Sequence, residues 1–272
     1  MALPPSVELL NPTMPRGPFR VAVFDFDGTL SLIREGWSKV MANLGIQLLR
    51  QQNLTLEDNL AGHLERQMLL LSGKPSIVQM QKLSSEVAVR GGTAPDPQLL
   101  LKEFLRRLYS ITDLRSERLR SGDDAKESWA VPGCYAVLDS LREQGIRVIL
   151  ASGTDRSFVH SEAALLKMTE YFGAEIYAPD DNSANFNKRD VFDAIVNGDI
   201  RGEEIVSFGD GYAETVEAKR IGAAVIGLAT NEVGNSSVNA MKRKMLAELG
   251  ADIVIPDYRD GVALLEWLRR MR

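Results

Sequence analysis

Two aspartates stand two residues apart where an apolar run ends, in Arg20-Val-Ala-Val-Phe-Asp25-Phe-Asp27-Gly28-Thr29. Side chains at i and i+2 of an extended chain point to the same side, so Asp25 and Asp27 bring two carboxylates to one place. Such a pair repels itself unless a divalent cation bridges it or one member keeps a proton. Gly28 lets the chain turn directly afterwards, and the N–H groups of that turn can face an anion. The plainer reading is a polar strand end followed by an Asp-Gly turn.

Three further clusters carry related chemistry. Val148-Ile-Leu-Ala-Ser152-Gly153-Thr154-Asp155 is an apolar run closed by a hydroxyl residue and a glycine. Ser152 and the Gly153 N–H can hold a phosphoryl oxygen, and the N-terminus of a following helix adds a favourable field. Ser, Thr or Asp at such a place more often caps a helix, and Thr154 and Asp155 are given that role. Asn187-Lys188-Arg189 precedes an amphipathic stretch. From there Lys188 can reach back to a carboxylate and a phosphate at a sheet edge, although a lone loop lysine is usually just solvated. Ile205-Val-Ser-Phe-Gly209-Asp210-Gly211-Tyr-Ala-Glu214 puts one acid at the end of an apolar run and another four residues on. Hard cations take oxygen ligands and keep several waters. Asp210 is therefore a candidate direct ligand, and Glu214 one that acts through water or from behind the ligand shell. A Gly-Asp-Gly turn with an acid at a helix start is the alternative.

A parallel sheet must position these residues. Short, nearly continuous apolar runs at 20–26, 147–151, 175–178, 205–210, 223–229 and 252–256 read as strands buried on both faces. Helix-length amphipathic stretches lie near 133–144, 156–169, 189–197, 213–221, 238–249 and 260–271. This alternation predicts right-handed βαβ units in a doubly wound, mostly parallel α/β fold, a Rossmann-like three-layer sandwich. The four clusters then fall at or near the carboxyl ends of strands, the edge where open α/β sheets bind ligands. From Arg34 to Trp129 no buried strand is legible, only helical stretches such as GWSKVMANLGIQLLRQQ and NLAGHLERQMLLL. So long an interval is no simple loop and predicts an all-helical cap over that edge. The expected organisation is an extended arm at 1–19, a catalytic core from 20–33 and 130–272, and a cap at 34–129.

Composition narrows the class. The 272 residues are 44% hydrophobic and 25% charged, as in an ordinary soluble globular protein. A net charge of −5 argues against a nucleic-acid partner, while a small anionic substrate stays open because local charge and a metal override the global sign. A single cysteine, Cys134, forms no internal disulfide and points to the cytoplasm. His63 and His160 are too few for a zinc cluster with it. No apolar run nears the ~18 residues of a membrane span. The first twenty residues hold five of the eleven prolines and lack the pattern of a signal peptide.

In their order, DFDGT, ASGT, the lysine of NKRD and GDGYAE resemble the four-motif pattern of the haloacid dehalogenase-like hydrolase superfamily, over roughly residues 20–257. VPGCYAVLDSLREQG (131–145) is similar to the helix that opens this family's second βα unit. The insert resembles the type-1 cap of phosphoglycolate phosphatase-like and β-phosphoglucomutase-like members. The resemblance implies that Asp25 is a nucleophile forming an aspartyl-phosphate. It implies that Asp27 first protonates the leaving oxygen and then activates water. Mg²⁺ would lie on Asp25, the Asp27 carbonyl and Asp210, with Glu214 counted in the set although the family more often has Asp there. Ser152 and Lys188 would bind the phosphoryl group, beside the N–H groups of Gly28 and Gly153. Dehalogenases usually lack the second aspartate and phosphonatase-like members replace it with a small residue, so Asp27 favours phosphoester chemistry.

The expected function is a Mg²⁺-dependent phosphatase for a small phosphorylated metabolite. A phosphomutase of the β-phosphoglucomutase type is the alternative, and a non-catalytic or receiver-like phosphate-binding module a more distant one. A receiver domain is about half this length and has no cap. Specificity would come from the cap, with Arg34, Trp37, Lys74, Ser76 and Gln79 as candidates and SGKPS (72–76) as a loop facing the site. Each of these is as readily a surface or turn residue.

Overall fold

The structure is a computed structural model and describes residues 2–72, 74–181, 186–197, 199–231 and 234–270. In chain order its elements are β1 (Glu8–Leu9), β2 (Val21–Phe24), α1 (Trp37–Gln51), α2 (Leu60–Leu69), α3 (Ser76–Val89), α4 (Pro97–Ser121), α5 (Cys134–Glu143) and β3 (Arg147–Ala151). There follow α6 (Arg156–Leu165), α7 (Thr169–Phe172), β4 (Ile176–Tyr177), α8 (Lys188–Val196), β5 (Ile205–Gly209) and α9 (Tyr212–Arg220). The chain ends with β6 (Ala224–Leu228), α10 (Ala240–Glu248), β7 (Ile253–Ile255) and α11 (Gly261–Arg270).

Among the described residues the sheet runs β1-β7-β6-β5-β2-β3-β4, parallel throughout except for β1. β2 lies inside the sheet, between β5 and β3, with all four residues buried, which is why the run carries no alternation. Val21 and Val23 pack with Phe192, Ile195 and Leu246 on one face, and Ala22 and Phe24 with Leu138, Leu141 and Leu264 on the other. The sandwich of three layers follows from these two apolar faces.

Register then builds the site. Phe24 of β2 pairs with Phe208 of β5, and their rings stack at 4.5 Å with Tyr258 against both. The next residue, Asp25, donates its N–H to the Phe208 carbonyl at 2.9 Å. Asp25 and Asp210 therefore leave neighbouring strand ends side by side.

Between β2 and α5 the described residues make four α-helices around their own core of Met41, Leu44, Leu64, Met80, Leu83, Phe104 and Leu108. The longest, α4, starts on Asp96, whose side chain accepts from the Gln98 N–H, with Pro97 as its first residue. It stops at Gly122, where φ is +83°. The strands of chain entering and leaving this insert are tied together. Leu32 donates to the Trp129 carbonyl at 2.8 Å, and Val131 to that of Leu30 at 2.9 Å. Arg115 of α4 closes the seam by donating to the carbonyls of Ile33 and Glu35.

One local expectation is corrected. The stretch 156–169 is not one helix: Lys167 turns left-handed at φ 54° and separates α6 from α7. In the N-terminal arm, Glu8 and Leu9 add an antiparallel edge strand to β7. Asn11 anchors it further through the Asp252 carboxylate at 2.7 Å.

Candidate active site

Lys188 is the hinge of the acid cluster. It is the first residue of α8 rather than a loop residue, its Asn187 neighbour capping the helix by accepting from the Arg189 N–H. Its side chain is fully buried, and Nζ donates to Asp25 Oδ1 at 2.5 Å and Glu214 Oε2 at 2.8 Å. Burial works against the Lys188 ammonium, but the two carboxylates outweigh it and raise its pKa. Burial likewise raises Asp25 well above the usual carboxylate range, with Lys188 pulling the other way and Glu214 and Asp210 adding repulsion. Glu214, on the first turn of α9, also accepts the Gly211 N–H through Oε1 at 2.5 Å.

The cluster is short of positive charge. Asp25, Asp210 and Glu214 are all buried, and one carboxylate oxygen of each lies within 4.8 Å of the others. Burial raises Asp210 as well, and its Oδ1 has no hydrogen-bond partner among the described residues. Crowded, buried, all-oxygen donors with one oxygen unpartnered fit a hard divalent cation such as Mg²⁺. Glu214 joins this set while its two oxygens are occupied by Lys188 and Gly211.

Gly28 proves to supply space. Its N–H donates to the Ser31 carbonyl at 2.8 Å, which corrects the expectation that it faces an anion. With φ at +77°, a Cβ there would lie 2.1 Å from Asp210 Oδ2. Gly28→Ala is thus expected to displace Asp210 and to strain the turn by about 1–3 kcal/mol. Turnover should fall at least about tenfold, since a lost interaction of 1.4 kcal/mol already has that effect. Steady-state rates beside a melting curve check this; a variant with wild-type activity would refute the spatial role.

On the other side of Asp25, Ser152 closes β3. Its N–H donates to the Tyr177 carbonyl, and its Oγ accepts from the Thr154 N–H at 3.1 Å, which leaves its own proton to donate. Asp155 precedes α6 without a side-chain cap, and Thr154 is no cap either: its hydroxyl donates to Asp27 Oδ2 at 2.6 Å. Asp27 Oδ1 is buried without a hydrogen-bond partner among the described residues and lies 3.9 Å from Arg34 Nε. Arg34, buried over the Phe158 ring, is held by Glu162 of α6, with Nε to Oε1 at 2.9 Å. Burial pushes Glu162 up to about 7 against the pull of Arg34.

One cavity gathers most of these residues: Asp25, Asp27, Ser152, Gly153 and Thr154 on the core side, Arg34, Trp37, Lys74, Ser76 and Gln79 on the cap side. Met41, Phe104 and Leu108 make part of its wall apolar. All five cap candidates thus border the cavity that holds Asp25. Lys74 stands 5.2 Å over the Tyr212 ring, so the 72–76 loop does meet the GDGYAE segment; Gly73 lies outside the described residues. Ser72 makes the same contact through its carbonyl, which accepts the Ala213 N–H at 3.3 Å.

The sequence singles out neither Lys242 nor Glu162, and it reads Thr154 only as a helix cap. Glu162 had a signal: on α6 it shares the buried face with Val159 and Ala163, at helical spacing. An acid on an apolar face needs a partner, and here the partner is Arg34.

A doubly wound sheet with an aspartate-rich centre at its carboxyl edge, facing a helical insert, defines a class of capped α/β hydrolases. The chain belongs to the haloacid dehalogenase-like hydrolase family, whose sequence model matches residues 19–222. No curated protein matches it in sequence. Among solved structures it resembles a HAD family hydrolase from Deinococcus radiodurans with bound phosphate and sodium. That pair shares 19% identity over 92% of this chain and 97% of the other, with a TM-score of 0.54. A predicted phosphoglycolate phosphatase from Haemophilus somnus shares 16% over 90% and 97%, with a TM-score of 0.56. A phosphonoacetaldehyde hydrolase-like protein from Oleispira antarctica shares 15% over 96% and 97%, at 0.60. At these identities the likeness is one of fold.

Proposed function

We propose that this hydrolase is a Mg²⁺-dependent phosphatase for a small phosphorylated metabolite and works through an aspartyl-phosphate on Asp25. The observation that carries this is the pairing of Asp25 with a second carboxylate, Asp27, in one cavity with Ser152. Asp25 Oδ attacks phosphorus as the bond to the leaving oxygen breaks, and Asp27 gives that oxygen a proton. Asp27 then takes a proton from water, whose oxygen attacks phosphorus and frees Asp25. Lys188, bonded to Asp25 and Glu214, holds the nucleophile in place and offsets the negative charge around it. Ser152 Oγ, which accepts from the Thr154 N–H, would donate its own proton to a phosphoryl oxygen. Asp25, Asp210, the Asp27 carbonyl and Glu214 are the residues that would hold Mg²⁺, which when bound lowers the repulsion between carboxylate and phosphate.

The Deinococcus radiodurans neighbour was solved with bound phosphate and sodium, which is in keeping with a phosphorylated substrate. No helix among the described residues is long and apolar enough to cross a membrane, and the buried Cys134 suits a reducing cytoplasm. The test is phosphate release from sugar phosphates, phosphoglycolate, nucleoside monophosphates and an aryl phosphate, with Mg²⁺ and with chelator. Mg²⁺-dependent release from at least one metabolite is expected. Isomer formation without release would replace the phosphatase with a phosphomutase, and no turnover of any ester would refute both.

A further inference from the structure

The segment between β6 and β7 carries no motif, yet it sends a cation into the acid cluster. Lys242 of α10 donates to Asp210 Oδ2 at 2.7 Å and to Thr230 Oγ1 at 2.9 Å. Thr230 in turn donates to the Gly28 carbonyl at 2.7 Å, so the lysine is braced against the turn that follows Asp27. Its backbone is fixed on both sides. Asn239 caps α10 by accepting from the N–H groups of Met241 and Lys242, and its own N–H donates to the Ala229 carbonyl. The next residue, Arg243, makes a paired contact with Glu8 of the edge strand β1. The side chain is only 14% exposed.

We propose that Lys242 is a tethered cation of the cluster, one that supplies part of the positive charge its carboxylates require and thereby weakens their hold on a divalent ion. Asp25, Asp210 and Glu214 bring three carboxyl groups together, against two ammonium groups from Lys188 and Lys242. An ion arriving at Asp210 must share that carboxylate with an ammonium already bonded to it. At such range two like charges repel by more than thermal energy even in a strongly polar medium. The same ammonium keeps buried carboxylates paired when no metal is present, so the metal-free protein depends on it. The inference rests on reading the cluster as a divalent-cation site.

The experiment is calorimetric titration of metal-stripped protein with Mg²⁺, beside melting curves with and without the ion. Lys242→Met should bind Mg²⁺ about tenfold or more tightly than wild type, because a nearby repulsive charge is gone. Lys242→Gln, which keeps donors for Asp210 and Thr230 but not the charge, should do the same and decides the matter if the Met variant does not fold. Both should melt lower than wild type when stripped and gain more on adding Mg²⁺. Lys242→Arg, with the charge kept, should stay closer to wild type than either neutral variant. Unchanged or weaker Mg²⁺ binding in the Met and Gln variants would overturn the inference while leaving the site standing. Absence of any divalent-ion binding in wild type would overturn both.

Discussion

Asp25→Asn is expected to abolish turnover, by a factor on the order of 10⁵–10⁶, the scale seen when an enzyme loses its nucleophile. An amide attacks phosphorus poorly, and the divalent ion loses a charged ligand. The structure also says what should not happen. Asp25 is 4% exposed, beside two other buried carboxylates, and burial raises its pKa well above the usual range. Replacing it with a neutral amide of the same shape removes a desolvated charge and leaves Lys188 bonded to Glu214 at 2.8 Å. The metal-free variant should therefore melt no lower than wild type. Lys188→Met gives the contrast, because it strands buried carboxylates without their partner and should cost about 3–5 kcal/mol of stability. Single-turnover rates and denaturant melts on both variants provide the check. An Asp25→Asn protein that keeps even a hundredth of wild-type turnover, folded and free of wild-type contamination, would remove Asp25 from the nucleophile's place.

Much of this centre was readable in the sequence because its parts are local. Asp25, Asp27, Ser152 and Asp210 each end an apolar run, and a parallel sheet brings the ends of its central strands to one edge without any further information. Lys188 was readable only through its neighbours in the pattern, since the sequence does not show that its side chain is buried. What escaped depends on long-range placement. Lys242 lies on an ordinary-looking helix, and only the return of the chain through β6 carries it to Asp210, 32 residues away. The Thr154 hydroxyl is committed to Asp27 across 127 residues. At that position the local signal for a helix cap is the same whichever partner the hydroxyl finds. β1 escaped for a simpler reason: two residues are too few for alternation to show. Gly28 was legible as a turn, but its demand for space comes from Asp210, which sequence cannot place beside it.

Asp27→Asn should separate the two halves of the reaction. Its side chain lies in the cavity with Asp25 and Ser152, with Oδ2 held by Thr154 and Oδ1 free of hydrogen bonds from the described residues. That free oxygen is where a proton can be carried to the leaving group, and an amide cannot carry it. Losing acid–base assistance costs about 10²–10⁴-fold. The loss should be largest for alkyl phosphates, whose leaving oxygens need the proton, and smallest for a nitrophenyl phosphate, whose phenolate leaves without one. Hydrolysis of the phosphorylated enzyme still needs a base, so with the good leaving group a phosphate adduct on Asp25 should accumulate. Thr154→Val is the control: it removes one hydrogen bond to Asp27 but not the proton carrier, and its smaller loss should show no adduct. Single-turnover rates across leaving groups, with intact-mass detection of the adduct, read all of this. Equal impairment of Asp27→Asn on good and poor leaving groups, with no adduct, would count against the acid role. An adduct on any residue other than Asp25 would overturn the mechanism itself.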